Sequence, residues 1–182
     1  AGHHYSNFID GTTSDQYLAR MLKTHFLGDS AYVRLMFKHG SGTHHSTHEL
    51  LIWCHHGVGS GVSMASPILK LERLPASWAG DIFLMGHQSK LVAVPVDRLC
   101  PQWSKGGGSG RLVHETVLLV GTGGFLKGYA AGRTRGRVPT GSYVEQGMMR
   151  PVALGGPLIT ITPRRAAKAD GQHWSPDLRV SL

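Results

Sequence analysis

The sequence predicts an α/β fold, and two kinds of pattern support this prediction. Two apolar runs, residues 51–54 and 81–85, are followed at once by histidine and glycine. Runs of this length are typical of strands buried in a sheet. An amphipathic pattern over residues 15–22 predicts a helix. With 182 residues and a hydrophobic fraction of 41%, the chain is large enough for one domain with a buried core.

The elements follow one another along the chain with short polar connections. Thr13 or Ser14 can cap the first helix, which carries Leu18, Met21 and Leu22 on one face. The strands are predicted from segments rich in aromatic and β-branched residues and from apolar runs. The polar segment between the first two strands predicts a hairpin turn. The expected strands are residues 31–37, 49–54, 81–85, 91–99, 112–120 and 158–161, with a short one at 152–154.

Three prolines mark element boundaries. Pro67 lies in the first turn of a second predicted helix, which begins at Ser66, and Pro75 ends or bends that helix after Leu74. Pro95 lies inside a predicted strand, and a proline has no N–H to donate to a neighbouring strand. We therefore expect that strand to lie at an edge of the sheet or to contain a bulge.

Histidine stands beside glycine at residues 2–4, 55–57 and 86–87. The last two of these positions follow predicted buried strands, and open α/β sheets bind ligands just beyond the carboxyl ends of their strands. A glycine-rich segment, residues 57–63, comes directly after the second histidine pair, and its backbone can approach a ligand closely. It lacks the lysine and hydroxyl of a Walker P-loop. The pattern predicts a metal site, and a metal site suggests hydrolysis.

The composition favours partners that carry phosphate. The net charge is +8 with histidine neutral, which attracts anionic ligands. The basic clusters near Arg133 and Arg164 have no interleaved aromatic residues, so neither predicts a base-stacking platform. Cys54 and Cys100 form no disulfide framework or zinc pattern, which agrees with a reducing, cytoplasmic setting. No run is apolar and long enough to cross a membrane, so we expect no membrane partner.

The order of these motifs resembles the calcineurin-like metallophosphoesterases, in particular the bacteriophage and bacterial forms. The likeness rests on His-His-Gly at 55–57, on Asp-Ile-Phe-Leu-Met-Gly-His at 81–87, on the strand 91–99 and on Gly-Ser-Tyr-Val-Glu at 141–145. The resemblance implies a partial form of the family fold, which is a sandwich of two sheets with flanking helices.

The resemblance begins at the third of the five motifs that define the family. It therefore implies a phosphoesterase domain over residues 1–163 that lacks the first two metal motifs, and we expect a longer enzyme of which this chain is the C-terminal part. The basic segment 164–182 is expected to be a poorly ordered tail.

In the family, an asparagine, a strand-end histidine and the first histidine of Gly-His-x-His bind one metal ion. His3, His55 and His87 hold these positions here. Ser89 replaces a histidine that binds the other ion, so the resemblance implies one nitrogen-rich half-site and one weakened half-site. The cofactor implied is a divalent transition metal such as Zn, Mn, Fe or Ni, dinuclear in the family and mononuclear here if the second half-site is lost.

The resemblance also assigns the catalytic histidine to His4, as the group that protonates the leaving oxygen. Tyr5 replaces the acidic residue that usually holds this histidine. Lys90 is expected to face either phosphate or solvent. Candidates for contacts with the substrate or with the metal ligands are His56, Gly57, Gly59 and Ser89.

The function implied is metal-dependent hydrolysis of phosphomonoesters or phosphodiesters, with nucleic acid among the candidate substrates. A two-metal mechanism needs a bridging carboxylate, which the family takes from a motif absent here, so we expect this chain alone to be inactive or weakly active. The alternative is a catalytically inactive module that binds metal or phosphate. The sequence does not choose an oligomeric state.

Overall fold

A computed structural model describes residues 5–39, 46–59, 61, 63, 65–103, 110–125, 127–129, 132, 134–135, 138–164 and 175–182. The helices are α1 (Ser14–Met21), α2 (Ser66–Leu71) and α3 (Tyr143–Gln146), and a short 3-10 turn spans Leu74–Ala76. The strands are β1 (Ser30–His39), β2 (Ser46–His55), β3 (Ile82–Met85), β4 (Leu91–Gln102), β5 (Arg111–Thr122), β6 (Thr134–Arg135), β7 (Val138–Pro139), β8 (Leu158–Arg164) and β9 (Ser175–Ser181). The α/β class expected from the sequence is confirmed at this level.

The described strands form a five-stranded mixed sheet in the order β1-β2-β3-β5-β4 and two small two-stranded sheets, β6-β7 and β8-β9. Strands β2, β3 and β5 are parallel, whereas β1 and β4 pair antiparallel to the outer sides of β2 and β5. Pro95 lies on β4, an edge strand. The edge position expected from that proline is confirmed. In an edge strand the position of the missing N–H can face solvent, so no hydrogen bond to a neighbouring strand is lost.

The two faces of the central sheet bury different apolar clusters. On one face, Trp53 of β2 and Phe83 of β3 pack with Leu71 of α2 and with Leu74 of the 3-10 turn. The alternation of side chains along each strand sends the neighbouring residues to the other face. That second face is covered by the β8-β9 hairpin, whose apolar residues pack against the sheet core of Leu50, Ile82, Leu118 and Val120. The five-stranded sheet thus lies between a helical layer and a hairpin.

The end of the chain differs from the poorly ordered tail expected over 164–182. Residues 175–181 form β9, which pairs with β8 over its full length. The physical reason is the alternation of Leu178 and Val180 with polar residues, which places both apolar side chains on the second core. Within the expected tail, residues 165–174 lie outside the described part of the chain.

The local signals for the first helix are confirmed, and those for the second are confirmed in part. The Thr13 side chain accepts a hydrogen bond from the Gln16 backbone N–H, and the Gln16 side chain accepts one from the Thr13 N–H, which completes a capping box at the start of α1. The second helix ends at Leu71, before the expected end, and a separate 3-10 turn around Pro75 follows it. At 152–154 the described chain makes only one isolated bridge, between Leu154 and Gly124. Within the described residues, no helix has the length and apolar character needed to cross a membrane.

Candidate functional site

The carboxyl ends of three parallel strands meet at one edge of the central sheet. His55 of β2 lies opposite Met85 of β3, and Met85 lies opposite Gly121 of β5. The Gly86 N–H donates a hydrogen bond of 3.0 Å to the His55 carbonyl, which extends the β2-β3 ladder past the end of β3. The histidines that follow β2 and β3 therefore start from adjacent backbone positions, at the edge where α/β sheets bind ligands.

His56 and His87 are the histidines whose rings approach each other at this edge. Their ring centroids lie 4.8 Å apart with an angle of 51° between the planes, and both side chains are half-buried. His87 has a positive φ of 52°, a backbone region that costs a non-glycine residue about 1–3 kcal/mol and that occurs often at functional sites. The positive φ shows that the chain leaves the extended conformation of β3 at His87, whose ring lies beside that of His56.

His55 is the strand-end histidine expected to bind metal, but its ring is engaged elsewhere. Its Nδ1 accepts a hydrogen bond of 2.7 Å from the Gly57 N–H, so in the neutral ring the hydrogen is on Nε2. The ring also stacks on Trp53, with centroids 5.4 Å apart and planes within 13°. A metal ion could use Nε2 only after this hydrogen bond is lost and the tautomer changes. The arrangement fits an anchor for the chain turn after β2 better than it fits a ligand.

Gly57 allows the turn after β2 to lie directly against the end of β3. Its φ is +85°, and a Cβ built on it would be 2.6 Å from Cγ of Met85 and closer still to the carbonyl oxygen of Gly86. Such a side chain cannot be accommodated without a shift of backbone. The approach of His56 to His87 therefore depends on glycine at this position.

Two lysines hold the glycine loop, which we define as residues 57–63. Lys70 of α2 donates hydrogen bonds to the carbonyls of Val58 (3.3 Å) and Gly59. Lys90 is 7% exposed and donates to the carbonyls of Gly61 (2.8 Å) and Ser63 (2.5 Å). Charged donors make stronger hydrogen bonds than neutral ones. Four described loop carbonyls thus accept hydrogen bonds from these two cations.

The fixed loop forms a wall beside His87. A Cβ built on Gly59 would lie 3.5 Å from His87 Nε2, which is ordinary van der Waals contact. The absence of that side chain leaves the nitrogen accessible from the loop side. Gly57 and Gly59, both expected to contact substrate or ligands, therefore lie next to the histidine pair.

Gln88 and Ser89 follow His87 with opposite environments. Gln88 is 3% exposed, and among the described residues neither its amide nitrogen nor its oxygen has a hydrogen-bond partner. Ser89 is exposed, and its Cα is 3.8 Å from the position that a Cβ on Gly124 would occupy. Ser89 is thus available to solvent near the end of β5, where a contact with substrate remains a prediction.

A cleft of about 680 Å³ opens on the His56 side of the edge, between α1 and the sheet. Its walls include Leu18 and Leu22 of α1 and Cys54 of β2, together with His56 and Gly86. Burial raises the pKa of the Cys54 thiol, which favours the protonated form. The cleft therefore borders His56, although the Nε2 atom of that ring is buried.

The acidic residue of the 81–87 motif does not belong to this edge. Asp81 precedes β3, and its Oδ2 accepts a hydrogen bond of 2.7 Å from the Leu51 N–H. Burial raises the pKa of Asp81, and the Leu51 hydrogen bond opposes that rise. Because Asp81 and His87 lie beyond opposite ends of β3, this carboxylate cannot bridge metal ions held at the histidines.

The described side chains at this edge can be compared with the donors that a metal ion requires. His56 and His87 provide two half-buried imidazoles, which suit Zn, Ni or Cu. Two nitrogens make half of a tetrahedral site, and no cluster of three or more His, Cys, Asp or Glu suited to a metal ion occurs within the part of the chain that the structure describes. His3 and His4, expected as ligand and as catalytic acid, lie outside the described residues. The described donors therefore fit an incomplete site.

Three residues at this edge have roles that the sequence patterns did not assign. Lys70 was only a polar position within the second predicted helix, and Trp78 had no assigned role. For Lys90 the sequence left open whether the side chain faces phosphate or solvent. The lysine roles depend on which loop carbonyls come within reach, and no sequence period encodes that. Trp78 packs on Trp53 with ring centroids 5.1 Å apart.

Comparisons with protein-family models, with curated proteins and with solved structures found no match.

Proposed function

We propose that this chain carries part of a metal-dependent phosphoesterase site at the carboxyl edge of β2 and β3. The observation that carries the proposal is the pair of His56 and His87, whose rings lie 4.8 Å apart beside a glycine loop. The finer fold assignment, a calcineurin-like sandwich of two sheets, belongs to the same proposal. It is supported by the packing of the β8-β9 hairpin on the central sheet and by the motif order in the sequence.

In this proposal His56 takes the place that the sequence patterns gave to His55. The Nδ1 of His55 is occupied by the Gly57 N–H, whereas the His56 ring faces His87. His87 and His56 would hold a divalent transition metal, with His3 as a third nitrogen ligand. A bound metal of this kind supplies a Lewis acid for a phosphoryl oxygen and lowers the pKa of water.

The chain's own residues would prepare the site for a phosphate ester. The net charge of +8 attracts the anion. Lys70 and Lys90 fix the glycine loop so that Gly59 leaves the His87 face open. The cleft beside α1 would admit the substrate to His56. His4 would protonate the leaving oxygen, and Ser89 would contact the ester from the solvent side.

The alternative function is an inactive module that binds metal or phosphate. The observation that favours it is the position of Asp81, whose carboxylate is committed to the Leu51 N–H beyond the far end of β3. Without a bridging carboxylate a two-metal mechanism is impaired. We therefore expect turnover by this chain alone to be slow at most.

The test measures binding and turnover together. Calorimetry with inorganic phosphate should show binding in the presence of Zn²⁺ and none in EDTA, and His87→Ala should abolish it. Phosphate binding that is the same with and without metal would refute the proposed site. A bis-nitrophenyl phosphate reporter then separates the two functions. Slow metal-dependent hydrolysis that is lost in His87→Ala supports the esterase, whereas phosphate binding without turnover supports the module.

A further inference from the structure

A second cleft lies beside the start of the glycine loop, where Gly57 and Val58 line it. Its volume is about 260 Å³, just below the range of about 300–1,000 Å³ that is typical of small-molecule pockets. Trp53 and Trp78 form its aromatic wall, and Gly57 and Val58 border it from the loop. Leu74 and Met85 add apolar surface to the lining, which also includes His55.

The aromatic wall has one ring that a ligand can reach. Trp53 is 4% exposed and is covered by the rings of His55 and Trp78, whereas Trp78 is 43% exposed. A planar base can therefore stack on the free side of Trp78. Stacking of this kind is tolerant of base identity, because every base has a π-face.

The cleft is also cationic. The described residues that line it include Lys70 and Arg73 and no acidic side chain. Lys70 is engaged with the carbonyls of Val58 and Gly59. Arg73 is exposed and, within the described part of the chain, has no hydrogen bond or ion pair. A guanidinium in this state is suited to a bidentate contact with phosphate.

We propose that this cleft binds a nucleoside monophosphate, with the base stacked on Trp78 and the phosphate on Arg73. The aromatic surface and the unopposed cation together select a ligand that is flat at one end and anionic at the other. This binding site does not depend on the proposed hydrolysis: His55 lines the cleft, but His56 and His87, the ligands of the proposed metal site, do not. The test is therefore done in EDTA, where the metal-dependent site is silent.

Calorimetry with adenosine monophosphate, adenosine and inorganic phosphate tests the proposal. Adenosine monophosphate should bind more tightly than either fragment. Trp78→Ala should weaken the binding of adenosine monophosphate roughly 5- to 150-fold, the range for loss of one stacked base. Trp78→Phe should retain most of the affinity, because it keeps an aromatic face. Arg73→Gln should weaken adenosine monophosphate but leave adenosine unchanged.

The matched control is Trp103→Ala. Trp103 is 70% exposed and follows the far end of β4, so its removal should leave nucleotide affinity unchanged. No binding of adenosine monophosphate to the wild-type chain would overturn the proposal. Equal loss of affinity in the Trp103 and Trp78 alanine variants would overturn it as well, and so would a Trp78→Phe variant that binds as poorly as Trp78→Ala.

Discussion

Replacement of Gly57 by alanine tests how the two strand ends are held together. Two costs add. The φ of +85° is unfavourable for an L side chain and costs about 1–2 kcal/mol. The new Cβ would also be 2.6 Å from Cγ of Met85 and would press on the Gly86 carbonyl, and overpacking of this kind costs about 1–3 kcal/mol. We expect Gly57→Ala to lower the free energy of unfolding by about 2–5 kcal/mol.

Two matched glycines separate these costs. Gly28 has a φ of +76° with nothing within 4 Å of the built Cβ, so Gly28→Ala incurs only the backbone cost. Gly59 shows neither a positive φ nor a contact closer than 3.5 Å, so Gly59→Ala should change stability by about 0.5 kcal/mol or less. Urea unfolding followed by circular dichroism measures all three variants. The order of loss should be Gly57→Ala, then Gly28→Ala, then Gly59→Ala.

The comparison has a clear contradicting outcome. Gly57→Ala and Gly28→Ala could lose the same amount of stability. That result would mean that the built Cβ meets no obstacle, and the close approach of the β2 turn to the end of β3 would be wrong. The proximity of His56 and His87 depends on that approach, so it would be in doubt too.

Two further predictions concern the half-buried Asp81 and the buried Lys90. The raised pKa of Asp81 means that the native chain binds more protons than the unfolded chain between pH 3.8, the ordinary value, and the raised value. The contribution of Asp81 to the free energy of unfolding therefore falls as pH rises through that window. Asp81→Asn should remove this fall and leave the free energy of unfolding at pH 7 unchanged or higher. A marked loss of stability at pH 7 in urea unfolding would refute this prediction. Lys90→Met removes two charge-assisted hydrogen bonds to the glycine loop. It should lower the free energy of unfolding by about 2 kcal/mol or more and speed proteolysis of that loop, whereas Lys38→Met, at an exposed position of β1, should do neither. Equal stability and equal cleavage rates in the two variants would contradict the role of Lys90.

The elements of the fold that have strong local signals were predictable from the sequence. The capping residues before α1, the apolar run of β3 and the proline on β4 each act over a few neighbouring residues, so the sequence records them directly. The β9 strand was missed because its apolar residues alternate within a basic segment, and their burial depends on packing against a sheet core whose residues lie far away in the chain. The exposed apolar face of α1 shows the converse. Its periodicity predicted a helix, but Met21 is 65% exposed, so periodicity did not predict burial.

The candidate site was predictable to the level of the sheet edge. Histidine after two apolar runs pointed to the carboxyl ends of β2 and β3, because parallel strands end together. Which histidine of the pair after β2 turns towards His87 was not predictable. That choice depends on the Gly57 turn, which ties the Nδ1 of His55 to a backbone N–H, and a single hydrogen bond of this kind leaves no pattern in the sequence.

Zinc titration of three histidine variants tests the central claim most directly. Calorimetry at pH 7.5 should show Zn²⁺ binding to the wild-type chain, loss of that binding in His56→Ala and in His87→Ala, and retention of it in His55→Ala. The affinity should also fall below about pH 6 as imidazoles protonate. Binding that survives both His56→Ala and His87→Ala, or that disappears in His55→Ala alone, would contradict the assignment of the His56 and His87 pair as the metal site.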